Sequence, residues 1–383
     1  MSEKQIRVVF VVTGLPVGGA ELVLYRLLSN LPSWVKPHVV SLRQIDHVGR
    51  RIEELGITVD CLGMNQGRLN PFAVVRLARK LKELRPDVVQ TWMYHADLLG
   101  GIAARLAVPD CPVVWNVRHN NLSPSNTKVA TICVAKLCAW LSRKIPARIV
   151  FNSESSRNRH VQFGYSESRS MVIPNGLDFT GFGSAPTDRT EIRQTLRIPP
   201  NAPLVGMIAR FDIVKNHAGF MRIAAKLTEQ MPECHFLFAG LGVDRDNPLF
   251  DEWVRTTTLG ERIHLLGLRT DVPRLMAAID VLAMPSWAEA FPNVVVEALA
   301  CGTPCVVADV GDAAYILGDA GKVVPPGNDE EFSRGLEELL RLAPAERRAV
   351  GERGRARVQE LFTLEQMTNR YIALYEACIG SPR

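Results

Sequence analysis

Several features are missing from these 383 residues, and each absence removes a class of protein. No apolar run reaches the ~18 residues that a membrane-crossing helix needs. The longest candidate, Val129–Leu141, is interrupted by Lys136. No two cysteines are spaced C-x-x-C, and Cys61, Cys111, Cys133, Cys138, Cys234, Cys301, Cys305 and Cys378 mostly sit in apolar runs. Reduced core thiols are therefore expected, ahead of a disulfide frame or a zinc site. Neither G-x-G-x-x-G nor G-x-x-x-x-G-K-[ST] occurs, which disfavours a nicotinamide dehydrogenase and a P-loop enzyme. No metal site and no cofactor are expected. Hydrophobic residues at 47% and charged residues at 22% exclude disordered, collagen-like and coiled-coil chains. The opening MSEKQIRVVFVV has no apolar signal core before a small-residue cleavage site, so a cytoplasmic location is expected.

What is present is a chain long enough for two domains at roughly 150 residues each. Its charge is uneven. Residues 1–180 carry 23 Lys and Arg against 13 Asp and Glu, whereas residues 181–383 carry 22 against 27. A basic first half suggests an anionic partner: a membrane surface, a phosphorylated substrate or nucleic acid. Nucleic acid is the weakest of the three, because the basic residues are scattered without interleaved aromatics.

Apolar, strand-like runs alternate with helical patterns from end to end, as in a doubly wound α/β fold. Strands are expected at Ile6–Val12, His38–Leu42, Ile57–Cys61, Asp87–Thr91, Val113–Val117, Ala147–Asn152 and Ser170–Ile173. Helices such as Pro71–Leu84 and Thr127–Lys144 lie between them. The rhythm then breaks over a proline-rich stretch and resumes at Leu204–Ala209. The expected organisation is two Rossmann-like domains, 1–175 and 201–362, a linker over 176–200, and a C-terminal helix over 363–383 packing back on the first domain. Ligands of open α/β sheets bind beyond the carboxyl ends of the strands, so two such domains suggest a site in the cleft they face.

Three segments carry candidate chemistry. Gly14 and Gly18-Gly19-Ala20-Glu21 join the first strand to the first helix, where exposed amides suit a phosphate or sugar, or make only a tight turn. Arg210 ends a strand and Lys215 precedes a helix, two cations fit for a diphosphate or simply solvated. The third segment runs from Ser286 to Pro304. It places Glu289 in a loop and Glu297 within the apolar helix VVVEALA, where a carboxylate needs a partner such as a ribose hydroxyl or a buried cation.

The E-x7-E spacing of Glu289 and Glu297, taken with Arg210, Lys215 and the Gly18-Gly19 loop, resembles the retaining glycosyltransferases of family 4, which have the GT-B fold. VIPNGLD (Val172–Asp178), FAGLG (Phe238–Gly242), LLGLRTDVPRLMAAIDVLAMPS (Leu265–Ser286) and GTPCVVADVGD (Gly302–Asp312) extend the resemblance over nearly the whole chain. The resemblance implies sugar transfer from a nucleotide-sugar, a UDP-sugar ahead of a GDP-sugar, to a glycan or lipid-linked acceptor, as in cell-surface polysaccharide or glycolipid synthesis. It implies that Glu297 holds the ribose and that Arg210 and Lys215 bind the diphosphate, helped by Gly18, Gly19 and the amides near Phe291, Pro292, Asn293 and Val294. Gly240 and Arg269 join that donor side. Glu289 would contact the transferred sugar and His119 would stand near the reacting centre, with His95, Glu21 and Arg118 on the acceptor side.

Two departures stand out: Ala290 where the family often has glycine, and Asp312-Ala313-Ala314-Tyr315 where many members carry a second glycine and a glutamate. A UDP-sugar 2-epimerase-like enzyme and an inactive homologue acting as a binding partner remain the alternatives. Thr127–Arg148 combines apolar residues with Lys128, Lys136, Arg143, Lys144 and Arg148. It reads either as a core helix with a solvated basic end or as a peripheral contact with an anionic membrane at the inner face of the cytoplasmic membrane.

Overall fold

The computed structural model describes residues 5–64, 71–120, 122, 127–183 and 186–380. It divides into two units, Met1–Asp178 with Leu364–Arg383, and Phe179–Thr363. The first alternates β1 (Ile6–Val12), α1 (Gly19–Ser29), β2 (Val35–Ser41), α2 (His47–Glu54), β3 (Val59–Cys61), α3 (Pro71–Leu84), β4 (Val88–Trp92), α4 (Tyr94–Ala107), β5 (Val113–Val117), α5 (Val129–Leu141), β6 (Arg148–Phe151), α6 (Glu154–Phe163) and β7 (Ser170–Val172). Its seven strands pair in parallel in the order β3-β2-β1-β4-β5-β6-β7. β1 is buried on both faces: Val9 and Val11 enter one core, Val8, Phe10 and Val12 the other. That two-sided burial explains its unbroken apolar run.

The second unit holds α7 (Pro186–Thr195), β8 (Leu204–Ile208), α8 (His217–Gln230), β9 (His235–Ala239), α9 (Pro248–Thr256), β10 (Ile263–Leu265), α10 (Val272–Ala278), β11 (Val281–Met284), α11 (Asn293–Ala300), β12 (Cys305–Ala308), α12 (Ala313–Leu317), β13 (Gly321–Val324), α13 (Asp329–Arg341) and α14 (Pro344–Leu361). Its sheet runs β10-β9-β8-β11-β12-β13, again all parallel. In both sheets the first strand lies beside the fourth, which places a topological switch point at the exits of β1 and β4, and of β8 and β11.

The last helix, α15 (Leu364–Gly380), belongs to the first unit. Its Met367, Tyr371, Leu374 and Tyr375 fill the core under β1 and β4. The Tyr371 hydroxyl takes hydrogen bonds from Asn116 Nδ2 and Arg118 Nη2, both at 2.7 Å.

Three sequence expectations need correction. The stretch read as linker contains α7, whose buried side is carried by Ile192 and Arg193, and Arg193 Nη2 meets Asp280 Oδ2 at 2.7 Å. One isoleucine beside an ion-paired arginine leaves no apolar periodicity to detect. The helix expected through Lys144 ends at Leu141, and Arg148 opens β6, so its charge is not on that helix. Of the eight cysteines, all free, Cys61 and Cys133 are exposed rather than in the core.

Candidate active site

In the second unit the functional side chains follow the exits of β8 and β11. β8 and β9 keep their ladder one step past their ends, with Ala209 N donating to Ala239 O and Phe211 N to Leu241 O. Gly240 permits this, because at φ +154° a Cβ would strike the Ala209 carbonyl. Arg210 therefore emerges at the sheet edge, largely exposed, with Nη2 at 3.0 Å from Asp212 Oδ2. Asp212 also accepts from Val214 N and so starts the turn that carries Lys215.

Asn216 then reverses the chain at φ +60°, a left-handed position asparagine tolerates. Its side-chain oxygen caps α8 by accepting from Gly219 N, and its Nδ2 donates to Pro285 O at 3.0 Å. Trp287 N donates to Val214 O at 2.7 Å. These bonds fasten the β8 exit to the β11 exit. The outcome is an ion pair: Lys215 Nζ stands 2.6 Å from Glu289 Oε1, with side chains only 22% and 11% exposed. Ser286 Oγ donates to the same oxygen at 2.8 Å.

Ala290 does not adopt a positive φ, so the loop needs no glycine there. The left-handed residue is Gly311, at φ +62°, where a Cβ would collide with the carbonyls of Glu289 and Ala290. Asp312 N adds a bond to Ala290 O at 3.0 Å. The loop leads into α11, whose N-cap Pro292 offers no side-chain cap and whose first turn holds no acid. Its N-terminal turn thus carries no carboxylate to offset the positive end of the helix dipole. Glu297 lies half-buried within that helix. Phe291 is buried against Phe362, so its contribution to a ligand is limited to its backbone. Arg269 forms a two-pronged pair with Asp271 at 2.7 and 2.6 Å. That pair holds Asp271 below the usual carboxylate range.

The metal-free expectation meets one counter-signal, the D-x-D triplet Asp244-Arg245-Asp246 after β9. Arg245 pairs with Asp251 at 3.4 Å, and no group of three or more metal-ligating side chains gathers among the described residues.

The first unit has a pocket of about 230 Å³ at the carboxyl edge of its sheet, lined by Thr13, Gly14, Pro16, Glu21, Arg43, Met93, Tyr94, His95, His119 and Thr131. His95, His119 and Glu21 are therefore together. Burial lowers the pKa of His95, which favours its neutral form. Beneath the pocket the His160 imidazole is neutral, its pKa pushed down to about 4 by burial. His160 Nδ1 donates to Ser156 O at 2.7 Å, which leaves Nε2 to accept from the Tyr94 hydroxyl at 2.6 Å. Ser156 Oγ donates to the His119 carbonyl at 2.9 Å, tying the His119 segment to α6.

Arg118 is not on the pocket wall. Its guanidinium is buried, spent on Asn116, Asn175 and Tyr371, and stacked 4.4 Å from the Trp92 ring, so it fastens α15 to the sheet. Gly18 and Gly19 head α1 without lining the pocket. Tyr94, Thr131 and Arg43 line the pocket and were passed over by pattern reading, and Ser286 opened the third segment without being given a role. Arg43 did have a signal, since it stands two residues beyond the carboxyl end of β2.

Residues 17–180 match the family model described as Glycosyltransferase Family 4, and residues 188–357 that described as Glycosyl transferases group 1. The chain belongs to the family-4 glycosyltransferases. Among relatives of this glycosyltransferase, EpsF of Bacillus subtilis, classed provisionally as a glycosyltransferase, is 28% identical over 91% of this chain and 90% of its own. The UDP-Gal:alpha-D-GlcNAc-diphosphoundecaprenol alpha-1,3-galactosyltransferase of Escherichia coli is 28% identical over 62% of each chain. The D-inositol 3-phosphate glycosyltransferase of Mycobacterium tuberculosis is 31% identical over 61% of this chain and 49% of its own. The match thus spans less than two thirds of those two relatives. Anabaena HepE in complex with UDP shares the fold at a TM-score of 0.85 and 23% identity, covering 97% of this chain and 100% of that one.

Proposed function

We propose that this enzyme transfers a hexosyl group, with retention and without a metal, from a UDP-sugar to a glycan or lipid-linked acceptor. The observation that carries the reading is the Lys215–Glu289 pair beside the uncapped start of α11. Breaking the bond between the sugar and the diphosphate puts negative charge on the departing phosphate and oxocarbenium character on the sugar. Lys215, Arg210 and the α11 amides are preorganised for that negative charge, and one such donor can be worth ~3–4 kcal/mol. Glu289, held by Ser286 and Lys215, would accept hydroxyls of the transferred sugar rather than attack it. Glu297 would accept the ribose hydroxyls. In this reading the acceptor hydroxyl adds on the face the diphosphate leaves, and the departing phosphate takes its proton.

A uridine donor is supported by the HepE complexes with UDP and UDP-glucose, and by the UDP-Gal in the name of the Escherichia coli relative. That relative's name also carries a lipid-linked acceptor. Calorimetry of the metal-free protein against UDP, GDP and ADP tests the donor, with tight binding of UDP alone expected. NMR of the transferred sugar's anomeric signal tests retention. No binding of any nucleotide would favour the inactive-homologue reading, and a change of sugar configuration without an acceptor would favour the epimerase.

We also propose contact with an anionic membrane through α5. Val129, Leu137 and Trp140 are 71%, 43% and 64% exposed, and Lys144 Nζ lies 5.3 Å from the Trp140 ring. Exposed Lys136 shares that stripe. No helix among the described residues is long and apolar enough to cross a membrane. Co-sedimentation with phosphatidylglycerol vesicles is expected and should fall when Trp140→Ser is introduced. Equal sedimentation of both proteins would end this reading.

A further inference from the structure

The pocket of the first unit contains a cation, Arg43, that no group among the described residues answers. Arg43 follows β2, and its stem lies along Gly14, where a Cβ would stand 3.2 Å from Arg43 Cδ. The described residues supply its guanidinium with no hydrogen bond and no ion pair, whereas Arg118 spends its nitrogens on three partners. The other charged wall residue, Glu21, turns its carboxylate back to Gly18 at the head of α1. His95 is held toward its neutral form by burial. A guanidinium is therefore the standing positive charge of the wall, accompanied by the hydroxyls of Thr13 and Thr131 and the imidazoles of His95 and His119.

We propose that Arg43 binds a phosphate group of the acceptor, so that the acceptor is a phosphorylated sugar or a sugar carried on a phosphorylated lipid. The inference rests on reading this pocket as the acceptor's. A guanidinium offers a planar fork that suits a phosphate edge. A carboxylate would use that fork as well, but it has two oxygens. A phosphate can also accept from the Thr131 hydroxyl and from imidazole N–H groups on the other walls, whereas the Thr13 hydroxyl donates to Trp92 O. The basic composition of residues 1–180 draws an anionic acceptor toward the same unit.

The test is calorimetry of the full chain saturated with UDP, titrated with glucosyl farnesyl diphosphate, glucose 1-phosphate, a glucuronoside and octyl glucoside. The expected result is that a phosphate-bearing probe binds at least about tenfold tighter than octyl glucoside. Arg43→Ala should weaken that probe by about tenfold to a hundredfold, with part recovered in Arg43→Lys, and leave UDP and octyl glucoside unchanged. Preference for the farnesyl probe assigns the phosphate to a lipid carrier, and preference for glucose 1-phosphate to a soluble acceptor. Equal binding by wild type and Arg43→Ala, or a glucuronoside bound as tightly as the phosphates, overturns the proposal. Failure of the wild type to bind UDP would instead strike at the donor reading, and the Arg43 comparison is then made without UDP.

Discussion

Lys215 Nζ and Glu289 Oε1 are 2.6 Å apart, although one side chain leaves the exit of β8 and the other that of β11. Each is the other's counter-charge, so a diphosphate that engages Lys215 competes with Glu289 for it. Lys215→Ala should weaken UDP binding by about tenfold or more, the usual worth of a charge-assisted hydrogen bond. Glu289→Gln should leave UDP affinity unchanged or raised while turnover falls by roughly a hundredfold. Parallel loss of affinity and turnover in both variants, in folded protein, would contradict the two roles.

Glu297→Ala addresses a different part of the nucleotide. With the ribose partner removed, UDP affinity should drop by about tenfold while affinity for inorganic pyrophosphate stays level. Calorimetry with both ligands separates these contributions, and equal weakening of both would remove Glu297 from the ribose.

Gly311→Ala should act on the same loop without touching a charge. At φ +62° the added Cβ meets the carbonyls of Glu289 and Ala290. Strain of about 1–3 kcal/mol is expected, read as a lower Tm for the second unit together with reduced turnover. An unchanged Tm would show that the loop moves aside at no cost.

Asp280 is buried beneath three arginines, with Arg189 at 2.8 Å, Arg193 at 2.7 Å and Arg347 at 3.3 Å, and it also accepts from Leu204 N. Removing it leaves the buried Arg193 guanidinium without its counter-charge. Asp280→Ala should therefore destabilise the second unit by about 3–5 kcal/mol, measured by urea unfolding with a probe in that unit. A loss below 1 kcal/mol would show that the carbonyls around Arg193 suffice to hold it.

Acid should weaken the first unit through His160. Its folded pKa, about 4, lies below the ordinary histidine value of 6.5, so its contribution is complete above pH 6.5 and lost as pH falls toward 4. Between those values the unfolded chain binds the extra proton and stability rises with pH. The loss should reach roughly 1 kcal/mol by pH 5.5. His160→Gln should flatten that part of the profile of stability against pH, and an unchanged slope would exclude His160 as its source.

The alternation of strands and helices, apart from α7 and β13, and the two-unit α/β plan could be read from the chain alone. Those features rest on local signals. A strand buried on both faces must be apolar throughout, as in Ile6–Val12, and a glycine after a strand marks a close backbone approach, as Gly240 does beneath Ala209. Arg210, Lys215 and Glu289 were visible because each lies next to the end of an element that the pattern had already located, and Glu297 because it is the one charge in an apolar helix. α7 was not visible, since its buried side chains are one isoleucine, Ile192, and the ion-paired Arg193, which leave no apolar period.

What only the tertiary structure decided is which charges meet. In sequence Arg118 and Arg43 are two arginines, each just beyond a strand of the same sheet. Folding buries the first among Asn116, Asn175 and Tyr371, 253 residues from Tyr371 along the chain, and leaves the second on a pocket wall. Likewise Lys215 and Glu289, 74 residues apart, become a pair because β8 and β11 are neighbours in the sheet. Hydrophobic periodicity is a property of a segment, and its own residues specify it. A pairing of charges depends on strand order and on side-chain packing across the sheet, and no segment contains that information by itself.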